Sequence, residues 1–206
     1  GEANNRPVDT ARINVLGNVM ILEACRQAGV QRYVFASSLY VYGKSGGFYR
    51  CSKQACELYI ENYQAMHNLP YTILRYGSLY GPRSDRRNAI NRFVYEALST
   101  GGITYYGAPT ALREYVHVDD ASAATLAVLA PEFENQNIII SGNQCVSGVI
   151  IGSRIEKNIH GKCLRAAVDH RILPAWRTDH CGVDPDSNVL RLSRPLLAQH
   201  VVLKNI

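Results

Sequence analysis

The sequence predicts an α/β chain: a parallel sheet with helices on both faces. Two observations carry this. Residues 1–80 read helix, strand, helix, strand in turn. The two strand segments, QRYVFASS and YTILRY, are nearly continuous apolar runs without the in–out alternation of a half-exposed strand. Strands buried on both faces are a mark of parallel sheets covered by helices.

The elements follow in order. Residues 9–28 form a helix, with Ile13, Leu16, Val19, Met20 and Leu22 giving a broad apolar face at helical period and Gly29 as its stop. Residues 31–38 are the first strand, and a glycine-containing loop spans 43–47. A second long helix spans 48–67, ended by Asn68-Leu69-Pro70, and residues 71–76 form the next strand. A polar turn region covers 81–87, a helix 89–100, and a short strand 102–106. An Ala-rich helix spans 118–129, with Asp119 and Asp120 offsetting the helix dipole at its start. Residues 137–141 read as a buried strand. From Gln144 onward the pattern is one of helical segments and turns around Pro174 and Pro185.

Composition narrows the function. The net charge is +5 with acidic and basic residues interspersed, so no nucleic-acid-binding stripe stands out. A mildly positive balance suits an anionic small molecule. The six cysteines form no CxxC pair and no metal-type spacing, so they read as packing thiols of a reducing compartment and no metal is expected. No apolar run reaches the roughly 18 residues of a membrane span, and no signal peptide opens the chain; the cytoplasm is the expected location.

The chemistry concentrates between Ser37 and Lys53. A strand delivers Ser37 and Ser38 at its C-terminal end, the edge where parallel sheets bind ligands. Tyr49 and Lys53 are four residues apart, so one helix face presents both. A lysine ammonium beside a tyrosine phenol favours the phenolate, lowering the Tyr49 pKa. The phenolate can then take a proton from a substrate hydroxyl that Ser38 also holds. Cys51 and Cys56, on different faces of the same helix, read as packing residues. His117 reads the same way, in a strand-like segment that leads into a helix.

In this context the chain resembles the nucleotide-sugar epimerase/dehydratase branch of the extended short-chain dehydrogenases. The matching stretches are Asn14-Val15-Leu16-Gly17-Asn18, Phe35-Ala36-Ser37-Ser38, Val41-Tyr42-Gly43, and Tyr49 to Lys53 with Glu57. Leu74 to Arg83 and Arg113 to Asp120 continue the match in the family's order. The resemblance implies a Rossmann-like NAD-binding sheet and a small C-terminal substrate lobe. It divides the chain into 1–80 (second half of the NAD-binding domain), 81–112 (substrate lobe), 113–142 (return to the first domain) and 143–206 (substrate lobe).

The resemblance also assigns roles. Ser38, Tyr49 and Lys53 match the catalytic trio. Asn14, Ser37, Tyr49, Lys53 and Tyr76 fall where the family meets its cofactor, with Lys53 on the nicotinamide ribose. Arg113 matches the arginine that meets the nucleotide diphosphate, a job suited to a guanidinium fork. Asn88 and Ser78 fall at substrate positions, Ser78 standing where many relatives have Asn. Thr104 and Tyr106 would lie along the nucleotide base. The implied cofactor is NAD, and nothing in these residues discriminates against NADP. A homodimer is implied through the helices at 9–28 and 48–67, with no nucleic-acid or membrane partner.

Dehydratases and decarboxylases of the branch carry an acidic residue directly after the Ser/Thr. Here those positions hold Leu39 and Tyr40, which favours epimerisation at C4 through a 4-keto sugar. A dehydratase, decarboxylase or 4-ketoreductase on the same scaffold is the alternative, and a non-catalytic nucleotide-sugar-binding protein is a further one. The G-x-x-G-x-x-G turn that holds the pyrophosphate in extended members is not in these residues, so the sequence is expected to be part of a longer protein. Arg171, Arg177 and His180 are candidate phosphate contacts in the C-terminal segment.

Overall fold

The structure, a computed structural model, describes residues 2–142, 145–160 and 189–191. Arg171, Arg177, His180, Pro174 and Pro185 lie outside these residues. The helices are α1 (Glu2–Asn5), α2 (Pro7–Thr10), α3 (Gly17–Gln27), α4 (Gly47–His67), α5 (Ala89–Thr100), α6 (Val118–Ala127) and α7 (Gly148–His160). The strands are β1 (Tyr33–Ser38), β2 (Tyr71–Tyr76), β3 (Ser78–Tyr80), β4 (Leu112–His117), β5 (Gln136–Ile140), β6 (Cys145–Ser147) and β7 (Val189–Arg191).

The chain falls into two compact units. The first holds residues up to Tyr76, residues 124–140 and strand β7. Its sheet is four-stranded and parallel, in the order β1-β2-β5-β7. Tyr33↔Tyr71 through Ser38↔Tyr76 set the β1–β2 register, so both strands end side by side. This is the Rossmann-like arrangement that the apolar runs predict. A core of Leu22, Cys56, Ile60, Leu69, Tyr71, Phe35 and Ile73 joins α3 and α4 to the sheet. Leu22 and Ile73 are fully buried, each such side chain contributing about 1.5–3 kcal/mol.

Local chemistry sets the ends of these elements. Gly46, with φ at +102°, starts α4 in a backbone region that glycine enters at no steric cost. Asn4 accepts a hydrogen bond from the Phe48 N–H at 3.0 Å, satisfying one of the helix's open donors. Asn68 ends α4 in the left-handed conformation (φ 53°), its N–H donating to the Gln64 carbonyl. Beyond α6, the Arg32 guanidinium donates to the carbonyls of Val128, Leu129 and Ala130 at 3.0–3.2 Å.

The helix expected over 9–28 is not uniform. Residues Ala11–Leu16 wind as a π-helix between α2 and α3. Such a widened turn redirects side chains, and here it carries Asn14.

The second unit holds residues 77–123 and 141–160. In it β3 pairs in parallel with β4, and β4 pairs antiparallel with β6. Its core gathers Phe93, Ala97, Tyr115, Val146, Ile151 and Ile155. The chain re-enters the first unit at Ala124, inside α6, whereas the sequence reading has it return at 113. The strand expected over 102–106 does not form: among the described residues no strand pairs with it, and the Thr104 N–H donates instead to the Glu96 carboxylate at 2.9 Å.

Cys25, Cys51 and Cys56 are free thiols; Cys56 is buried and Cys25 half-buried against the same core, as expected, while Cys51 is exposed. Cys145 is disulfide-bonded, against the expectation of six free thiols. Among the described residues no group of His, Cys, Asp and Glu gathers that could hold a metal, and no helix is long and apolar enough to cross a membrane.

Candidate active site

Ser38 ends β1 in an extended conformation, and its hydroxyl accepts from the Tyr40 N–H at 3.3 Å. That bond caps the 3-10 turn Leu39–Tyr42. Tyr49 sits in the first turn of α4 and Lys53 one turn later. The Tyr49 ring meets Tyr40 edge-on, with centroids 6.2 Å apart at 88°. The structure thus brings Ser38, Tyr49 and Lys53 to the carboxyl edge of the sheet, within one unit.

The electrostatics differ from the expectation. Burial pushes the Tyr49 phenol above its ordinary value; a hydrogen bond with Ser38 lowers it, and Tyr40 adds to the rise. Lys53 is not among the groups that shift it. Its Nζ donates to the Ala36 carbonyl at 2.8 Å and lies 4.6 Å over the Phe35 ring and 5.8 Å from the centre of the Tyr49 ring. Burial lowers the Lys53 pKa, with Cys56 and Glu57 opposing. Burial is therefore the leading influence on both groups.

Behind the trio lie two networks. Asn14 Nδ2 donates to Ser52 Oγ at 2.9 Å, and Ser52 Oγ donates to the Tyr49 carbonyl at 2.8 Å. The Cys56 thiol donates to the Asn14 carbonyl at 3.1 Å. Asn14, read from the sequence as cofactor-binding, is thus tied to the helix that carries Tyr49. Ser37, also read as cofactor-binding, is buried and donates to the Glu57 carboxylate, which Arg75 clasps at 2.6 Å. The Tyr76 hydroxyl shares a 2.5 Å hydrogen bond with Thr125.

The remaining predicted residues all belong to the second unit. Ser78 opens β3 opposite Tyr115. Asn88 caps α5: its Oδ1 accepts from the N–H groups of Ile90 and Asn91 at 3.0 and 3.3 Å, and its Nδ2 donates to the Leu79 carbonyl at 2.7 Å. Thr104 stands in the irregular segment after α5. Tyr106 is 76% exposed, its ring 5.5 Å from the Arg92 guanidinium. Arg113 is exposed on β4, in register with Val146. His117 ends β4, buried edge-on against Tyr80 with centroids 5.2 Å apart, and its Nδ1 accepts from the Asp119 N–H at 3.3 Å.

Sequence reasoning passed over what Glu57, Arg75 and Asn4 do. Glu57 and Arg75 stand in the matching stretches, but only their spatial pairing reveals a shared task.

Fold and cluster together define a Rossmann-like chain with Ser, Tyr and Lys at the carboxyl edge of its sheet. Residues 1–141 match the NAD dependent epimerase/dehydratase family, and the chain belongs to that family. It is similar to the UDP-glucose 4-epimerase of Mycolicibacterium smegmatis, 31% identical over 142 residues, covering 61% of this chain and 45% of the relative. The UDP-glucuronate 4-epimerase of Thermodesulfobacterium geofontis is 28% identical over 131 residues, covering 57% and 41%. Among solved structures, the Bacillus cereus UDP-glucuronic acid 4-epimerase in complex with UDP-glucuronic acid and NAD is similar at a TM-score of 0.67 and 28% identity, covering 74% of this chain and 53% of that one. The UDP-glucose 4-epimerase of Thermus thermophilus in complex with NAD gives 0.66 and 26%, covering 77% and 58%. The chain spans less than half the length of these two curated relatives.

Proposed function

We propose that the full-length protein is an NAD-dependent epimerase acting at C4 of a nucleotide-diphosphate sugar. The observation that carries this is the gathering of Ser38, Tyr49 and Lys53 at the carboxyl edge of β1, followed by a turn, Leu39–Tyr42, that contains no carboxylate. A dehydratase needs an acid there to eliminate water; an epimerase does not. The UDP-sugars named for the similar proteins support a UDP-hexose as substrate.

The residues present fit the nicotinamide end of the cofactor. Lys53 Nζ uses one N–H on the Ala36 carbonyl and has others left for ribose hydroxyls. NAD, when bound, supplies the hydride acceptor and later the donor. Tyr49, as phenolate, removes the proton of the C4 hydroxyl, and Ser38 hydrogen-bonds that hydroxyl and orients it. With the cofactor bound, inversion would require the oxidised sugar to turn its other face toward it, and Tyr49 would then return the proton to the C4 oxygen.

A second copy of this chain is the proposed partner. Ile13, Leu16 and Met20 are 54–65% exposed, and Leu58 and Met66 on α4 are 61% and 74% exposed. These positions lie on the helices at 9–28 and 48–67 and form apolar surface of the kind that pairs across a helical interface.

The test is to purify the full-length protein, release any bound cofactor by denaturation, and follow UDP-glucose and UDP-galactose by NMR. Released NAD with C4 interconversion is the expected result. Absence of both in the folded protein overturns the reading.

A further inference from the structure

We propose that Glu57 and Arg75 are positioning residues: their buried ion pair ties the end of β1, helix α4 and the turn after Ser38 into one rigid frame that holds Ser38, Tyr49 and Lys53 in mutual register. The proposal rests on the catalytic reading of that trio.

Four side chains from four elements meet here. Arg75 on β2 donates to Glu57 on α4 through Nε at 3.2 and 3.3 Å and through a terminal nitrogen at 2.6 Å. Its other terminal nitrogen donates to the Tyr42 hydroxyl at 2.5 Å, and the guanidinium lies 4.9 Å over the Tyr42 ring. The Ser37 hydroxyl on β1 donates to Glu57. The two charged side chains are 8% and 11% exposed.

Stability is a weak reason for such a pair. Taking both charges out of water costs several kcal/mol per ion, and apolar residues of similar volume often do as well or better. The placement of the bonds points to geometry instead. Ser37 adjoins Ser38 and is the register partner of Arg75. Glu57 stands one turn beyond Lys53 and two turns beyond Tyr49 on the same helix. Tyr42 closes the 3-10 turn that Ser38 caps. One carboxylate and one guanidinium therefore fix the strand end, the helix and the connecting turn at once. A bidentate arginine pair is directional, so it resists sliding as well as separation.

The experiment uses the full-length protein with Glu57→Gln, Arg75→Lys, the double variant, Tyr42→Phe and, as a control on the trio, Tyr49→Phe. Circular dichroism melts establish that each is folded at the assay temperature. With UDP-glucose, Glu57→Gln is expected to lower kcat about 10- to 100-fold while KM moves little, the signature of misplaced reacting groups. The double variant is expected to lose no more than the worse single variant, because the pair acts as a unit. Amide hydrogen exchange of residues 39–47 should quicken while β2 and β5 stay protected. Wild-type kcat together with unchanged exchange at 39–47 overturns the proposal, as does a loss confined to KM. If Glu57→Gln does not fold, Tyr42→Phe removes one hydroxyl only; a severalfold fall in kcat with faster exchange is expected, and no change in either overturns the idea. If Tyr49→Phe turns over like wild type, or wild type does not act on UDP-glucose, the catalytic reading fails instead, and exchange at 39–47 alone decides whether the frame exists.

Discussion

Lys53 and Tyr49 share a helix face, yet the lysine ammonium bonds to the Ala36 carbonyl at 2.8 Å and stays 5.8 Å from the centre of the Tyr49 ring. The cation is held by the strand rather than by the phenol. Burial raises the Tyr49 pKa, against the lowering effect of its hydrogen bond with Ser38.

This arrangement predicts the pH response. The raised Tyr49 pKa puts the phenol's midpoint above its usual value of about 10 in the ligand-free protein. A near-ultraviolet difference titration of wild type against Tyr49→Phe measures it. Since the base is the deprotonated form, kcat/KM should rise with pH across the neutral range. Tyr49→Phe should lower kcat by about 10²- to 10⁴-fold without loss of fold. A pH-independent rate, or an active Phe variant, would remove Tyr49 from the role of base.

Tyr33 contributes to the pH dependence of stability on the alkaline side. Its phenol is pushed up to about 12, chiefly by burial, with Cys25 and Cys56 adding. The native state thus keeps a proton that the unfolded chain releases near pH 10, so this group's contribution is full below about 10 and lost as pH rises toward 12. Tyr33→Phe should flatten that alkaline decline in urea titrations. It should also cost about 1 kcal/mol at neutral pH, because the hydroxyl bonds to Asn18 at 2.7 Å. An unaltered alkaline limb in the variant would contradict this account.

Asn88 is committed to α5. Asn88→Ala should destabilise the protein by about 1 kcal/mol, and Asn88→Asp should restore the cap through its carboxylate. Thermal melts test this directly. A variant with wild-type melting but a raised KM for UDP-sugar would show instead that the amide serves the substrate.

Assembly is testable at Met20. This side chain is 65% exposed on α3, near Leu16 and Ile13. If a second copy covers that face, Met20→Glu places a charge in the interface and should shift the full-length protein from dimer toward monomer in light scattering. A wild-type monomer would remove the dimer from the proposal.

The order of elements was legible because the strands are apolar runs and the long helices carry broad apolar faces, both local properties of the chain. The spacing of Tyr49 and Lys53, and the place of Ser38 at a strand end, follow from the same local geometry. The strand expected over 102–106 was not decided locally, since a strand exists only where another edge pairs with it. Asn14 illustrates the same limit: nothing local shows that its amide, carried on a π-turn, bonds to Ser52, 38 residues away. Glu57 and Arg75, 18 residues apart, meet only once β2 lies beside β1 and α4 packs on both. By itself, then, the sequence determined which groups stand at the carboxyl edge of the sheet, because period and order are short-range. Only the tertiary structure decided what those groups bond to and which way their protons are biased, because desolvation and long-range pairing arise when distant segments close around them.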